Sequence, residues 1–270
     1  MKRIFLLYCL FTAVCISNPA YTQHDSSGYY SSFDGIKIYY EVHGKGYPVV
    51  LVHGFTGTGE GWKRSAIYKE LLKEGYQVII PDLRGNGKSD KPHKAKAYAN
   101  DAEAKDIMGL ITRLGIDKYS VAGYSRGSII TARLLVLDNR IDKAVLGGMG
   151  TGFTDPEWPR RKLFYRALSG EPVKELESFL QYVKNSGFDR QALAMQQKEQ
   201  PSTSPAALGK IQQPVLVISG DEDEDNGSAK DLAKLLPHSV YKTVPGKHNG
   251  TSSTAPYAKE LMAFLKSKEF

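Results

Sequence analysis

The chain has 270 residues, a formal net charge of +7, and 41% hydrophobic and 24% charged residues. This composition is typical of a globular protein, and the length suits one large domain or one domain with an insertion. The basic residues are interleaved with acidic ones, and the sequence has neither a basic stripe nor a Cys/His finger spacing, so we expect no nucleic-acid partner.

Residues 1–22 predict a secretory signal peptide. A charged start, Lys2-Arg3, precedes an apolar stretch from Ile4 to Ile16, and small residues favour cleavage near Thr22-Gln23. The apolar stretch is shorter than the ~20 residues that a membrane-spanning helix needs. We therefore expect a secreted or periplasmic protein with no membrane attachment once the signal is removed.

Both cysteines of the chain, Cys9 and Cys15, lie in this apolar stretch. The mature chain would then have no disulfide and no thiolate metal site. A lipoprotein signal ending at Cys15 is an alternative, which the large Val14 before that cysteine disfavours.

Strands and helices alternate through residues 23–150, which we predict to be the first part of a core domain. Continuous apolar runs are typical of strands that are covered on both faces, whereas apolar residues at helical spacing indicate helices. The predicted strands are Tyr29–Phe33, Ile36–Val42, Pro48–Val52, Val78–Ile80, Tyr119–Ala122 and Ala144–Leu146, and the predicted helices are Trp62–Lys73, Ala102–Leu114 and Ile129–Leu137.

The pattern changes in residues 151–213, where strand signals vanish and apolar residues such as Val173, Leu176 and Leu180 recur at helical spacing. This stretch is predicted to be a small helical lid over one edge of the sheet. Residues 214–270 return to alternation and form the second part of the core. They contain predicted strands at Val215–Ile218 and Val240–Val244, a helix at Ala229–Leu236 and a final helix that includes Tyr257, Leu261, Phe264 and Leu265.

Repeated strand–helix units of this kind predict a mostly parallel, doubly wound α/β sheet. In such sheets the chemistry lies beyond the carboxyl ends of the strands. Candidate residues are therefore sought just after the predicted strands.

The segment Gly123-Tyr124-Ser125-Arg126-Gly127 matches the G-x-S-x-G nucleophile elbow. It lies between a predicted strand and a predicted helix, where the serine would be held in a strained conformation with its hydroxyl exposed. Such a short pattern also occurs by chance, so its meaning depends on a base and an acid elsewhere in the chain.

His248 is the candidate base, because a serine nucleophile needs a group that removes its proton. It follows the last predicted strand, in a loop that can return to the elbow. The acidic loop after the preceding strand offers the third group, with Asp223 preferred and Asp221 and Asp225 as alternatives. The same loop departs from a calcium-binding loop at its sixth and twelfth positions, so no metal is predicted.

The order Ser125, Asp223, His248 is the order of nucleophile, acid and base in α/β hydrolases. The chain resembles the α/β-hydrolase superfamily over nearly all of its mature part. The matching pieces are His53-Gly54-Phe55, the D-x-R-G-x-G-x-S run from Asp82 to Ser89, the elbow, the turn Gly220-Asp221-Glu222-Asp223 and the loop Gly246-Lys247-His248.

The resemblance implies an α/β-hydrolase fold in which the helical insertion is a lid. It also implies that the amides of Phe55 and Arg126 donate to the oxyanion, and that Asp82 and Arg84 are structural residues. The resulting hypothesis is a carboxylesterase-like serine hydrolase that cleaves a small-molecule acyl substrate through an acyl-enzyme, without a cofactor.

Other functions remain open from the sequence. Perhydrolysis, carbon–carbon bond hydrolysis, amide or lactone hydrolysis and acyl transfer share the same three groups, whereas a serine excludes the aspartyl-ester route of dehalogenases and epoxide hydrolases. A small-molecule receptor on the same fold, with little turnover, is the alternative from another class.

Substrate choice is assigned to the insertion, and the sequence predicts neither the substrate nor the oligomeric state. Arg160-Arg161-Lys162 could meet an anionic substrate, although a solvated face explains such a run equally simply. Aromatic side chains of the insertion could line an acyl pocket, although packing of the lid is the stronger interpretation for most of them: Trp158, Phe164, Tyr165, Phe179 and Tyr182.

Overall fold

The computed structural model describes residues 25–268. Within this range eight strands form one sheet in the order β1-β2-β4-β3-β5-β6-β7-β8. Strands β1, β2 and β4 pair antiparallel, and every pair from β4 through β3 to β8 is parallel. The bounds are β1 Ser26–Ser31, β2 Lys37–His43, β3 Pro48–Val52, β4 Gln77–Pro81, β5 Tyr119–Tyr124, β6 Ile141–Gly147, β7 Val215–Gly220 and β8 Ser239–Val244.

Ten α-helices accompany these strands in the described part of the chain. Most of them connect one parallel strand to the next, as the sequence predicts. Their bounds are α1 Gly59–Lys63, α2 Ala66–Lys73, α3 Ala102–Arg113, α4 Arg126–Leu137, α5 Pro159–Ser169, α6 Glu177–Asn185, α7 Arg190–Lys198, α8 Pro205–Leu208, α9 Ala229–Lys234 and α10 Ala255–Lys266.

The hydrophobic core lies in two layers, one on each face of the sheet. Helices α3, α4 and α9 cover one face and α2 and α10 cover the other, so alternate residues of a central strand enter different layers. On β3, Val50 and Val52 belong to the first layer, and Val49 and Leu51 belong to the second. This two-sided burial explains why the central strands are continuous apolar runs, and it confirms the predicted doubly wound, mostly parallel fold.

The predicted helix Trp62–Lys73 is in fact two helices, α1 and α2. The chain breaks at Ser65, whose Oγ accepts a hydrogen bond from the Tyr68 amide 3.3 Å away and so caps α2. The first predicted strand, Tyr29–Phe33, is also wrong at its end. Strand β1 ends at Ser31, and the Phe33 side chain is exposed.

Helices α5 to α8 all lie between β6 and β7, and no strand occurs between those two strands among the described residues. We call residues 159–208 the helical segment. Two assignments stay predictions. One is that residues 151–213 form a lid, and the other is that residues 23–150 and 214–270 form the two parts of the core. The predicted signal peptide, residues 1–22, lies outside the described residues. Within residues 25–268, no helix is both long enough and apolar enough to cross a membrane.

Candidate active site

Ser125 is the single residue between the end of β5 and the start of α4. Its backbone has φ 54° and ψ −123°, and only Asn100 and Asp101 share a positive φ among the non-glycine residues of the described chain. A residue held in such a conformation costs about 1–3 kcal/mol, and strain of this kind clusters at functional sites. The turn presents the Ser125 hydroxyl beyond the carboxyl end of the central strand.

The glycines on either side of Ser125 are required by close backbone approach. A Cβ added at Gly123 would lie 2.3 Å from the Gly127 carbonyl oxygen, and one added at Gly127 would lie 2.2 Å from that of Val52. A larger residue would therefore push helix α4 away from strand β5 at Gly123, or away from the end of strand β3 at Gly127. The G-x-S-x-G spacing is thus a packing requirement of this turn.

The structure brings Ser125, His248 and Asp223 into one hydrogen-bonded line. His248 Nε2 lies 2.9 Å from Ser125 Oγ, and His248 Nδ1 lies 2.9 Å from Asp223 Oδ2. With the imidazole proton on Nδ1, the ring donates to the carboxylate and accepts from the serine hydroxyl. This is the arrangement in which a histidine can remove a proton from serine.

The structure also distinguishes among the three candidate aspartates. Asp221 accepts a hydrogen bond from the Gly246 amide at 2.9 Å and so holds the histidine loop, whereas Asp225 lies 3.8 Å from Arg160. Asp223 alone lies against the imidazole, and its carboxylate is 4% exposed. Burial by itself raises the pKa of Asp223, but the hydrogen bond and the electrostatic interaction with His248 together lower it by more, so the pKa lies below its usual value.

Ligand atoms of Asp223, Asp225 and His248 lie within 4.8 Å of one another. Asp223 and His248 are bound to each other, and Asp225 is engaged by Arg160 and donates its amide to Asp223 Oδ1 at 3.2 Å. The pairing of Asp223 with His248 therefore accounts for two of the three groups, and the Asp225 carboxylate has only a long contact with Arg160.

Tyr124, the residue before Ser125, holds the histidine loop from the other side. Its hydroxyl donates a 2.7 Å hydrogen bond to the backbone carbonyl of His248, and the two rings lie 5.6 Å apart. The elbow thus carries the serine and also fixes the backbone of the residue that faces it. The sequence marked Tyr124 only as a variable position of the motif.

Phe55 and Arg126, the two predicted oxyanion-hole donors, lie on either side of Ser125. The Arg126 amide is at the first position of α4, where a helix has no internal acceptor for it. Phe55 follows β3, and a Cβ added at the adjacent Gly54 would lie 3.3 Å from Ser125 Cβ. Both amides are therefore near the hydroxyl, and their role as donors stays a prediction.

A buried histidine shapes the start of the Phe55 loop. His53 Nδ1 donates to the Gly54 carbonyl at 2.8 Å, and its Nε2 accepts from the Leu83 amide at 3.0 Å. Burial lowers the pKa of His53, which keeps the ring neutral and able to accept that second hydrogen bond. His53 therefore joins two strand-end loops and does not reach the serine.

The Phe55 loop is also anchored by Asn86, which the sequence did not single out. Asn86 Nδ2 donates to the carbonyls of Phe55 at 2.8 Å and of Gly57 at 3.1 Å. Its Oδ1 accepts from Gln196 of α7 at 2.5 Å. A hydrogen-bonded chain therefore runs from the helical segment to the predicted oxyanion loop.

If the chain hydrolyses esters, as its sequence predicts, replacing Asn86 by alanine is expected to lower kcat about tenfold with a smaller change in KM. The reason is that the loop loses both hydrogen bonds that orient the Phe55 amide, a predicted oxyanion donor. Steady-state kinetics with p-nitrophenyl butyrate measure this effect. Asn185→Ala, an exposed asparagine of α6, is the matched control and should leave kcat unchanged. An Asn86→Ala enzyme with normal kcat would show that the loop needs no such anchor.

The Arg126 side chain points away from Ser125 into the protein and forms an ion pair with Glu103 of α3. Its Nη1 and Nη2 lie 2.7 Å and 2.5 Å from the two carboxylate oxygens, and both side chains are at most 3% exposed. The sequence suggested only a backbone role for Arg126. The pair fixes the first turn of α4 against α3, directly beside Ser125.

A cavity of about 670 Å³ opens over Ser125 and His248. The helical segment and the turn before it supply one wall, which contains four of the five aromatic residues predicted for an acyl pocket. Tyr165 packs instead within the helical segment. The aromatic residues in the wall are Trp158, Phe164, Phe179 and Tyr182.

Comparison with known proteins gives consistent results for the fold. A family model described as alpha/beta hydrolase fold matches residues 47–167. A non-heme chloroperoxidase of Streptomyces lividans is 26% identical over 281 residues, which cover 89% of this chain and all of that protein. An esterase structure from Exiguobacterium antarcticum superposes with a TM-score of 0.75 at 21% identity, covering 90% of this chain and 100% of that one.

Higher identities are confined to shorter stretches. A putative non-heme chloroperoxidase of Synechocystis sp. is 39% identical over 113 residues, which cover 41% of this chain and 40% of that protein. The chain thus spans well under half of that relative's length, so the likeness does not transfer that protein's activity. The family model, the full-length relatives and the sheet topology together show that the chain has the α/β-hydrolase fold.

Proposed function

We propose that the protein is a serine hydrolase that cleaves a carboxylic ester of a small molecule. The observation that carries the proposal is the hydrogen-bonded line of Ser125, His248 and Asp223, with Ser125 in a strained turn at the floor of a cavity. Ser125 is the nucleophile, His248 the general base and acid, and Asp223 the group that orients the imidazole.

In the first half of the reaction, Ser125 Oγ attacks the ester carbonyl carbon while His248 Nε2 takes the hydroxyl proton. The tetrahedral intermediate then collapses, and the leaving alkoxide receives that proton from His248. In the second half, His248 takes a proton from water, the hydroxide attacks the acyl-enzyme, and the proton returns to Ser125 as the acid leaves.

Asp223 stabilises the imidazolium that forms in both halves and keeps the proton on Nδ1. The amides of Phe55 and Arg126 hold the negative oxygen of each tetrahedral intermediate. A donor of this kind lowers the barrier by about 3 kcal/mol. Asn86 holds the loop that carries the Phe55 amide, and the first turn of α4 positions the Arg126 amide before the substrate arrives.

Perhydrolysis is a second candidate, because the relative that aligns over its whole length is a non-heme chloroperoxidase. In that reaction hydrogen peroxide replaces water in the second half, attacks the same acyl-enzyme, and leaves as a peracid. The serine at the nucleophile position disfavours epoxide hydrolysis through an aspartyl ester, because that route needs a carboxylate nucleophile.

The proposal is tested on the purified mature protein with a fluorophosphonate probe and a panel of p-nitrophenyl esters. We expect one probe molecule per chain, attached to Ser125 by peptide mapping, and loss of ester turnover in proportion to labelling. Peroxide-dependent formation of peracetic acid from acetate or an acetate ester, at a rate above hydrolysis, would favour the second candidate. Absence of both labelling and turnover would favour a receptor on this fold.

A further inference from the structure

Three consecutive cationic residues open helix α5, and they do not share one environment. Arg160 and Arg161 line the cavity above Ser125, whereas Lys162 is exposed and forms an ion pair with Glu157. The sequence left two interpretations for this run, a solvated face or an anion site. In the structure, Arg160 and Arg161 face the cavity, as an anion site requires, and Lys162 is solvated.

Arg161 keeps its positive charge without a carboxylate partner. Its guanidinium donates to the carbonyls of Pro156 at 2.7 Å and Lys198 at 2.8 Å, and its Nε is buried with no acceptor. In residues 25–268 no carboxylate oxygen lies within 4.0 Å of it. Backbone carbonyls therefore fix this side chain in the cavity wall, and Glu157 acts on its charge only from beyond ion-pair distance.

Arg160 has a single, weak acidic partner. Its Nη2 lies 3.8 Å from Asp225 Oδ1, which is beyond hydrogen-bond distance, and both side chains are partly exposed to solvent. Its guanidinium lies over the Phe164 ring, 5.1 Å from the centroid, so an aromatic surface orients the charged group. The Arg160 guanidinium is thus oriented by the Phe164 ring but forms no hydrogen bond with Asp225.

The charges that line the cavity do not cancel. Arg126 is neutralised by Glu103, which leaves Arg160 and Arg161 facing the one carboxylate of Asp225. Asp225 also donates its amide to Asp223 Oδ1. The residue nearest to the Arg160 guanidinium is therefore itself bonded to the aspartate of the Ser125–His248–Asp223 line. Two further carboxylates, Asp223 and Glu157, interact with these guanidinium groups from outside the cavity lining. The lining itself therefore holds two arginines and one aspartate that is hydrogen-bonded to neither of them.

We propose that the substrate hydrolysed at Ser125 carries a carboxylate group remote from the scissile ester, and that Arg160 binds this carboxylate. The proposal rests on the proposed function and names the substrate class for it. Arginine suits this role because its planar fork can bind a carboxylate through two parallel hydrogen bonds. A substrate carboxylate at about 2.8 Å would form a stronger contact than the 3.8 Å approach of Asp225 and would take its place.

The carboxylates close to the two arginines favour a singly charged group over a phosphate dianion. Asp225, which lies near the same guanidinium, would repel a second negative charge. The aromatic residues of the wall would contact the carbon chain between the two ends of the substrate. Backbone carbonyls hold Arg161 in place. It therefore contributes a positive charge at a fixed position and does not move to bind the substrate.

The test compares phenyl hydrogen glutarate, which is an acidic half-ester, with its neutral isostere phenyl glutaramate. The wild-type enzyme should have a higher kcat/KM for the acidic ester. Arg160→Gln should lower the ratio of the two kcat/KM values about tenfold, and Arg160→Lys should restore part of it. Lys162→Gln removes the same charge from the same helix outside the cavity, and it should leave the ratio unchanged.

The same comparison can be made without turnover. Calorimetric titration of both intact esters into Ser125→Ala gives a ratio of dissociation constants, which adding Arg160→Gln should shift about tenfold. Equal ratios with and without Arg160, or an equal shift from Lys162→Gln, would overturn the proposal. Ester hydrolysis that survives Ser125→Ala would instead overturn the proposed function, and the ratios would still decide the role of Arg160.

Discussion

Ser125→Ala is expected to lower kcat for p-nitrophenyl butyrate by about 10⁴-fold or more. The substitution removes the atom that forms the acyl-enzyme and leaves only the binding site and the oxyanion-hole amides, which support far slower attack by water. Burst and steady-state kinetics on the purified variant measure the loss. No smaller effect is compatible with a mechanism in which every turnover passes through a bond to Ser125 Oγ.

The controls must distinguish a loss of catalysis from a loss of folding. Ser169→Ala changes an exposed serine at the end of α5 and should leave both kcat and the melting temperature unchanged. Circular dichroism of Ser125→Ala should match the wild type, because alanine fits where the serine methylene is. A folded Ser125→Ala enzyme that keeps a tenth of the wild-type kcat would exclude Ser125 as the nucleophile.

The strands of the fold were predictable where both faces are buried. Strand β3 has the predicted bounds, Pro48–Val52, because every side chain after Pro48 enters one of the two core layers and glycine-rich turns limit the run. Helix bounds depended more on tertiary structure. The break between α1 and α2 occurs where the Ser65 side chain caps α2. A serine inside an amphipathic pattern does not reveal whether its hydroxyl caps a helix.

The site was predictable to the extent that chain order reports position in a parallel sheet. Ser125, Asp223 and His248 each follow a strand, and the carboxyl ends of parallel strands lie at one edge, so their convergence was expected. The supports of the site were not predictable. Asn86 acts on a loop about 30 residues before it, and nothing local in the sequence shows that its amide faces two carbonyls there.

Arg126 illustrates the same limit more sharply. Its position in the motif identifies an amide near the oxyanion, but the partner of its side chain is on another helix, 23 residues earlier in the chain. Glu103 has no feature in the sequence that separates it from the other glutamates. The pairing depends on how α3 packs on α4, which is a tertiary fact.

Arg126→Met is expected to lower the free energy of unfolding by about 3–5 kcal/mol, because it leaves the buried carboxylate of Glu103 without its partner. Chemical denaturation at pH 7 measures the loss. Arg133→Met is the matched control on the same helix. Arg133 forms a similar two-point pair with Asp101, but both side chains are partly exposed, so its loss should cost at most about 1 kcal/mol.

The double variant Arg126→Met/Glu103→Leu tests the cause of the destabilisation. If the unpaired charge is responsible, replacing both ions by apolar groups should recover most of the lost free energy, since such exchanges of buried pairs are often neutral. The double variant should also keep ester turnover, because the donor near the oxyanion is the backbone amide at position 126. Stability that stays as low as in the single variant would mean that the arginine acts through packing or through its contact with the Gln196 carbonyl. Recovered stability with turnover lost would mean that the ion pair itself sets the position of the amide beside Ser125.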